Sequence, residues 1–323
     1  MALTVAINGF GRIGRACARM IAAEERLKII EINDLIDQDV LLYLFRHDTV
    51  HGGFDDSSIR QARFTQAKEP EECRFSAELV LECTGIFLTK DRLQTYIDRG
   101  AKRVILSAMP KDDIPTIAPL ASSKESIISA GSCSTNALWL MSSPLEREFG
   151  IEALIASSIH SYTSDQRLLD AKHDEARRGR ACGRNIIPAI SNAASNLWRI
   201  DSAYKAKAKA IALRVPIPNG SIMQATYLLK KAARAAEINA VFEKESELLG
   251  RDLFDTAEDH KVLTDIISTR ASAIIDLTLT LCSGRLVSVS AWHDNETGYA
   301  SRVVDLALSA ISVQRRGYGT QAD

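Results

Sequence analysis

Gly9-Phe10-Gly11-Arg12-Ile13-Gly14 follows an apolar run at residues 3–7 and opens an amphipathic stretch at residues 12–23. Glycines at this spacing let the chain turn tightly and let its backbone approach a bound group. The start of the helix then offers unpaired N–H groups and the positive end of its dipole to a pyrophosphate. A second apolar run at residues 27–32 ends in Asn33-Asp34, and Asp34 stands 25 residues after Gly9. That is close to the separation at which a carboxylate bonds both ribose hydroxyls of a dinucleotide. Glycine-rich turns also arise for structural reasons alone, so the hexapeptide by itself is a weak signal. With strand, helix and acid in register, it predicts a cofactor site at Gly9, Gly11, Gly14 and Asp34 that takes NAD in preference to NADP.

The same alternation of short apolar runs and amphipathic stretches continues through residues 37–45, 77–82, a helix from Lys90, residues 103–107 and residues 126–130. This rhythm predicts a doubly wound, Rossmann-like α/β domain with a parallel sheet. Past residue 150 the runs lengthen and become β-rich, at residues 153–158, 210–215, 221–229, 273–281 and 286–292, with one helix at 235–249. They predict an α+β domain whose mixed or antiparallel sheet carries helices on one face. Residues 161–187 are polar, without a period, and read as a long functional loop. A closing helix is expected from Glu296 to about residue 313, followed by a polar tail from Gln314 that frays. The expected division is a dinucleotide-binding domain at 1–132, completed by residues 296–323, and a catalytic domain at 133–295.

Bulk composition narrows the function classes. The chain has 323 residues, 40 basic and 41 acidic, so no global field recruits nucleic acid or an anionic membrane. No apolar window is long enough to span a bilayer, and the N-terminus lacks the pattern of a secretory signal. A cytoplasmic protein is expected. The six cysteines lack zinc-site or disulfide-scaffold spacing, and most are expected to be buried thiols. His47 and His51 stand four apart, but with no third ligand nearby the expectation is no metal site.

Ser132-Cys133-Ser134-Thr135-Asn136 lies between the run at 126–130 and an apolar-periodic segment at 137–149. A cysteine at a helix N-terminus gains a stabilised thiolate and neighbouring N–H groups able to hold an oxyanion. A buried thiol in a capping turn would look the same. The run nevertheless resembles the Ser-Cys-Thr-Thr-Asn active-site segment of bacterial-type phosphorylating glyceraldehyde-3-phosphate dehydrogenases. The stretch from Ile7 to Arg15 is similar to that family's opening signature. So are His160-Ser161-Tyr162-Thr163-Ser164-Asp165-Gln166, Asn185-Ile186-Ile187-Pro188, Arg214-Val215-Pro216 and Trp292-His293-Asp294-Asn295-Glu296-Thr297-Gly298-Tyr299, in the same order and approximate spacing.

The resemblance implies Cys133 as covalent nucleophile and His160 as its base, acting through a hemithioacetal and a thioester that inorganic phosphate cleaves. It implies a substrate-phosphate pocket at Thr163, Asp165, Arg178 and Arg214, and an attacking-phosphate pocket at Ser132, Ser134, Ser191, Asn192 and Arg214. It also implies the backbone of Arg12 and Ile13 on the pyrophosphate, Ser107 near the nicotinamide ribose, Asn295 on the nicotinamide carboxamide, and a homotetramer. Departures from the family pattern include Ala130-Gly131 for Asn-Ala, Ser191-Asn192 for Thr-Gly, and a shortened segment between Gly52 and Leu79. Ala171-Lys172 replaces a common Leu-Pro, and a lysine there leaves room for the 2'-phosphate of NADP. Two alternatives stay open: an erythrose-4-phosphate dehydrogenase, separable by phosphate dependence, and a non-catalytic NAD-binding regulatory relative, against which the joint presence of Cys133, His160, Arg214 and Asn295 argues.

Overall fold

A computed structural model describes residues 2–317. Contacts divide the chain into two compact units, residues 2–132 with the helix from Ala300 onward, and Cys133–Tyr299.

The first unit is built on β1 (Leu3–Asn8), α1 (Arg12–Ala22), β2 (Leu27–Asn33), α2 (Gln38–Arg46), β3 (Arg63–Thr65), β4 (Leu79–Glu82), α3 (Lys90–Asp98), β5 (Arg103–Leu106) and β6 (Ile127–Ser129). All six strands are parallel, in the order β3-β2-β1-β4-β5-β6. The chain winds outward from β1 in both directions, so the loop after β1 sits where the strand order reverses. In open α/β sheets this is where ligands bind. Strands β4, β5 and β6 are buried at every position, as a sheet covered on both faces requires. Three of the strands are tied at their carboxyl ends by a buried polar chain: Asn33 Nδ2 donates to Asn8 Oδ1 at 2.8 Å, and Asn8 Nδ2 donates to Glu82 Oε2 at 2.8 Å. Tyr96 Oη donates to the same Glu82 oxygen at 3.0 Å.

The second unit runs α4 (Cys133–Phe149), β7 (Ile151–Ser161), β8 (Ile187–Ile190), α5 (Ala193–Ile200), β9 (Ala208–Val215), β10 (Ser221–Leu229), α6 (Ala235–Leu249), β11 (Phe254–Ala257), β12 (Ala273–Asp276), β13 (Leu281–Ser283) and β14 (Leu286–His293). Its sheet is mixed, ordered β11-β12-β14-β10-β7-β9-β8 with β13 beside β14. One face packs beneath α4, α5 and α6, around Leu138, Met141, Leu154, Met223, Tyr227, Phe242 and Val289. Helix α7 (Thr297–Gly317) closes the described chain.

Several expectations need correction. The second half holds a further helix, α5, which starts directly after Ser191-Asn192, residues expected only to line a phosphate site. The run at 273–281 is not one strand: Asp276 accepts from the Thr278 backbone N–H at 3.2 Å and from its hydroxyl at 2.6 Å, turning the chain into a 3-10 turn at Leu277–Leu279. The polar loop at 161–187 contains a short 3-10 turn at Ala176–Gly179. Helix α2 ends at Arg46, so His47 and His51 share no helical face. Only Cys17, Cys73 and Cys182 are fully buried. The frayed tail expected from Gln314 is helical through Gly317, and its remainder lies outside the described residues. Among the described residues, no helix is long and apolar enough to cross a membrane.

Candidate active site

Strand pairing alone assembles most of this site. In the parallel register of β7 with β9, His160 stands opposite Arg214. In the antiparallel register of β10, Ser221 stands opposite both His160 and His293 of β14. Opposed residues project to the same face, so Arg214, His160, Ser221 and His293 form one row across four strands. Two residues deeper along this face, three of the strands are apolar at buried Ala212, Met223 and Ala291, and β7 carries buried Ser158. The core-facing line of each strand therefore ends in a polar group at the edge of the core.

Helix α4 packs on this same face through Ala137, Leu138 and Met141, which fixes its first turn over the row. The nucleophile expected to precede the helix in fact begins it. Cys133 Sγ lies 3.4 Å from His160 Nε2 and 3.9 Å from Ser134 Oγ. His160 Nδ1 lies 2.8 Å from the Ser161 carbonyl, which also accepts from Arg214 Nη1 at 3.0 Å. A carbonyl only accepts, so the proton belongs on Nδ1, and the Nε2 lone pair faces the sulfur. Nη1 then abuts Nδ1 at 2.6 Å without bonding it.

The electrostatics set this pair as neutral thiol and neutral imidazole. Burial, the adjacent Arg214 charge and His293 hold His160 well below the ordinary histidine range, against the Ser161 backbone contact. Burial likewise pushes the Cys133 thiol up, while the Ser134 hydroxyl and Arg214 pull it down and Asp294 adds to the rise. The depressed thiol expected from the helix N-terminus alone is thus corrected by desolvation.

The loop residues fall into a second charged group. Asp165 pairs with Arg178 and accepts from His173 Nε2 at 3.3 Å, while Arg178 Nε also donates to Glu175 at 3.0 Å. Burial works against charge on Asp165, but Arg178 and His173 outweigh it and hold the carboxyl low. Arg178 and Asp165 are close enough for their charges to act on Arg214. Thr163 is held by its backbone N–H, 2.8 Å from Gln166 Oε1. Ser134 Oγ lies 3.4 Å from Ser158 Oγ.

Ser191 and Asn192 lie directly before α5, and Ser191 Oγ accepts from the N–H of its first residue, Ala193, at 3.2 Å. The register pairs Ile187 with Arg214 and Ile190 with Ile211, so Ser191 follows β8 at its far end from that pairing. Its backbone is displaced from that of Arg214 by about 13 Å at strand rise. What ties this turn to the nucleophile's helix is Asn196 Nδ2, which donates to Thr135 Oγ1 at 3.3 Å. Asn295 is anchored from behind: its Oδ1 accepts from the Gly220 N–H at 2.7 Å and from Ser161 Oγ at 3.1 Å.

Two family models match the chain. Residues 3–90 match the glyceraldehyde 3-phosphate dehydrogenase NAD binding domain, and residues 132–295 match the C-terminal domain of the same enzyme. The chain is 36% identical to "Glyceraldehyde-3-phosphate dehydrogenase 2" of Bacillus subtilis, over 95% of its own length and 96% of that protein's. It is 34% identical to "Glyceraldehyde-3-phosphate dehydrogenase" of Geobacillus stearothermophilus, covering 97% and 99%, and 35% identical to that of Clostridium pasteurianum, covering 93% and 96%. The chain belongs to the glyceraldehyde-3-phosphate dehydrogenase family.

The NAD-binding domain of this family member has the backbone that the cofactor requires. Gly9 adopts φ +88°, and a Cβ there would lie 2.6 Å from the Thr84 nitrogen. A Cβ on Gly14 would lie 2.2 Å from the Gly9 carbonyl oxygen, so the loop and α1 touch backbone to backbone. A Cβ on Gly11 meets nothing within 4 Å. That open approach to an N-terminus with no side-chain cap suits a pyrophosphate. The Asp34 carboxylate accepts from the Phe10 N–H at 2.7 Å and the Ile36 N–H at 3.1 Å, which sets it beside the glycine loop. The Arg12 side chain is drawn to Asp48 at 2.5 Å, while Arg12 and Ile13 supply the first backbone of α1. Ser107 follows β5 and is fixed by its N–H to the Glu82 carbonyl at 2.9 Å.

Sequence reading overlooked His293. It is buried, its ring centroid lies 6.3 Å from that of His160, and neither ring nitrogen reaches a hydrogen-bond partner. The available signal was the two-residue period of β14, in which Val287, Val289 and Ala291 are core and the next position on that face is a histidine.

Proposed function

We propose that this family member oxidises glyceraldehyde 3-phosphate to 1,3-bisphosphoglycerate, using NAD and inorganic phosphate, with Cys133 carrying the acyl group. The observation that carries the reading is the 3.4 Å approach of Cys133 Sγ to His160 Nε2 beside Arg214. The resting pair is neutral, so the thiol proton passes to Nε2 as the sulfur attacks the aldehyde carbon. The N–H formed at Nε2 then faces the new oxyanion, and the Ser161 carbonyl holds the ring by Nδ1 throughout. As hydride leaves and the oxygen re-forms a carbonyl, the proton stays on Nε2 and is released to solvent, because neither the carbonyl oxygen nor the thioester sulfur takes it up. Bound NAD supplies the two-electron acceptor that turns a hemithioacetal into a thioester. Asn295, with its Oδ1 already engaged, presents its amide NH2 to a carboxamide.

Arg214 and Arg178 give the phosphorylated substrate its charge complement, and Thr163 and Asp165 orient that group of side chains. Ser132, Ser134, Ser191 and Asn192, at the starts of α4 and α5, are assigned to the attacking phosphate. Glycine at 9, 11 and 14, the backbone of Arg12 and Ile13, and Asp34 and Ser107 are assigned to NAD, and Lys172 leaves NADP as a weaker second cofactor. The test follows reduced-cofactor absorbance with glyceraldehyde 3-phosphate and with erythrose 4-phosphate, each with and without inorganic phosphate, using NAD and NADP. Phosphate-dependent NAD reduction on the three-carbon substrate, lost in Cys133→Ser, is expected; turnover confined to erythrose 4-phosphate would overturn the substrate assignment.

The reading includes a cytoplasmic homotetramer. Ile155, Ile190 and Ile211 lie on the outer face of the second sheet and are at least half exposed in the single chain, beside exposed Leu168, Leu169 and Ile186 of the long loop. An apolar surface of this kind needs a partner. Light scattering should give four chains per particle, and Ile211→Glu should lower that number.

A further inference from the structure

His293 touches no reacting group in the reaction described above and acts there only through its neighbour His160, yet it is one of the most completely enclosed polar groups in the second unit. Its imidazole is 1% exposed, and neither ring nitrogen has a hydrogen-bond partner, although the Ala291 backbone lies near. Leaving two buried ring nitrogens unmatched costs free energy in a protein interior. The ring is also placed where lone pairs converge. One ligand atom each from Cys133, His160 and His293 lie within 4.8 Å of one another, the closest grouping of such side chains among the described residues.

We propose that Cys133, His160 and His293 form a three-ligand site for a soft divalent cation, zinc or cobalt in character, whose occupancy reversibly blocks the nucleophile. One sulfur and two imidazole nitrogens are the donor set such ions prefer. The Cys133–His160 separation of 3.4 Å already matches the edge of a coordination tetrahedron. At zinc bond lengths that edge is about 3.3–3.8 Å, so the longer sides of the triangle need to close by about 1 Å, within reach of small side-chain rotations. The outer shell is partly in place. His160 Nδ1 faces the Ser161 carbonyl at 2.8 Å, the partner that orients a ligating imidazole and leaves Nε2 to the metal.

Coordination replaces the Cys133 S–H bond by an S–metal bond and releases the thiol proton to solvent; both imidazoles donate lone pairs, and no group is oxidised or reduced. The fourth position stays open to water because Cys133 is part-exposed. The Arg214 charge beside His160 opposes a dication, so the site binds more weakly than a four-ligand structural zinc site. This suits a reversible occupant. The site does not depend on which aldehyde the enzyme oxidises, because its test reads the metal directly.

The test is X-ray absorption at the zinc edge on metal-stripped wild-type protein loaded with one equivalent of zinc. The expected first shell is one sulfur at ~2.3 Å and two imidazole nitrogens at ~2.0 Å. A shell lacking sulfur, or holding one imidazole only, would overturn the proposal. Cobalt titration of the same protein should give thiolate-to-metal charge-transfer absorbance, absent in Cys133→Ser. In His293→Phe, half-inhibition of the turnover that remains should require at least tenfold more zinc. Equal zinc sensitivity in that variant would also sink the idea, and the wild-type absorption measurement decides the question even if the variant does not fold.

Discussion

Nη1 of Arg214 stands 2.6 Å from Nδ1 of His160, with both nitrogens directed at the single carbonyl of Ser161. A permanent cation so close to an enclosed imidazole makes protonation of the ring unfavourable. In Arg214→Gln the His160 pKa should therefore rise, as read by the pH dependence of its imidazole carbon shift in NMR. The same variant should lose at least about a hundredfold in kcat/KM, because the charge we propose to meet the substrate phosphate is gone. An unmoved His160 titration would show that burial alone keeps the ring neutral.

Asp48 makes a prediction about acid stability. Burial opposes its charge, but the N–H groups of His51 and Val50 and the Arg12 guanidinium outweigh it and hold the carboxyl down at about 2. A carboxyl whose folded value lies below its unfolded value contributes stability above the unfolded value and loses it as pH falls through the folded one. The shift from 3.8 to about 2 corresponds, once solvent screening is allowed for, to about 1–2 kcal/mol at neutral pH. Asp48→Asn should lose this amount in urea unfolding at pH 7, and the difference from wild type should vanish near pH 2.

Glu82 tests the polar chain beneath the glycine loop. Asn8 Nδ2 and Tyr96 Oη donate to one of its oxygens, and the Thr84 N–H and hydroxyl donate to the other. Burial pushes the carboxyl up, against all these donors. A glutamine would turn an NH2 toward donors, so Glu82→Gln should destabilise the first unit by about 1–3 kcal/mol. A thermal melt as stable as wild type would mean that the carboxyl is protonated in the folded chain.

Gly11 and Gly14 should separate folding from cofactor binding. Gly14→Ala forces a methyl to 2.2 Å from the Gly9 carbonyl, which the backbone cannot relieve without moving α1, and the melting temperature should fall by several degrees. Gly11→Ala meets nothing within 4 Å of the chain. Its melt should match wild type while NAD affinity, measured by calorimetry, falls at least tenfold. Unchanged affinity would move the pyrophosphate away from this loop.

Much of the first unit could be read from residues in order, because parallel strands announce themselves as local apolar runs. The elements that escaped lack that local signal. β3 has three residues and no room for a period, and β8 contains Pro188, which an edge strand tolerates but a sequence pattern counts against a strand. α5 follows Ser191-Asn192, residues that read equally well as a ligand loop. For the site, Cys133 and His160 were legible as separate candidates, and the resemblance joined them. The row from Arg214 to His293 was not legible, since it exists only in the pairing of strands far apart in sequence. The neutral resting thiol was also out of reach, because desolvation depends on what surrounds the sulfur.

That row bears on how the protein should fail under heat. Loops usually loosen well before the scaffold that carries them, and a nucleophile and base mounted on loops would lose their alignment early. Here His160, Arg214, Ser221 and His293 keep their spacing through the interstrand ladder itself, anchored by strands whose neighbouring positions are core. Misalignment by one residue would require an entire strand to slide. Inactivation and loss of the second sheet should then be a single event in temperature, and the chemistry should persist undiminished until the ladder parts.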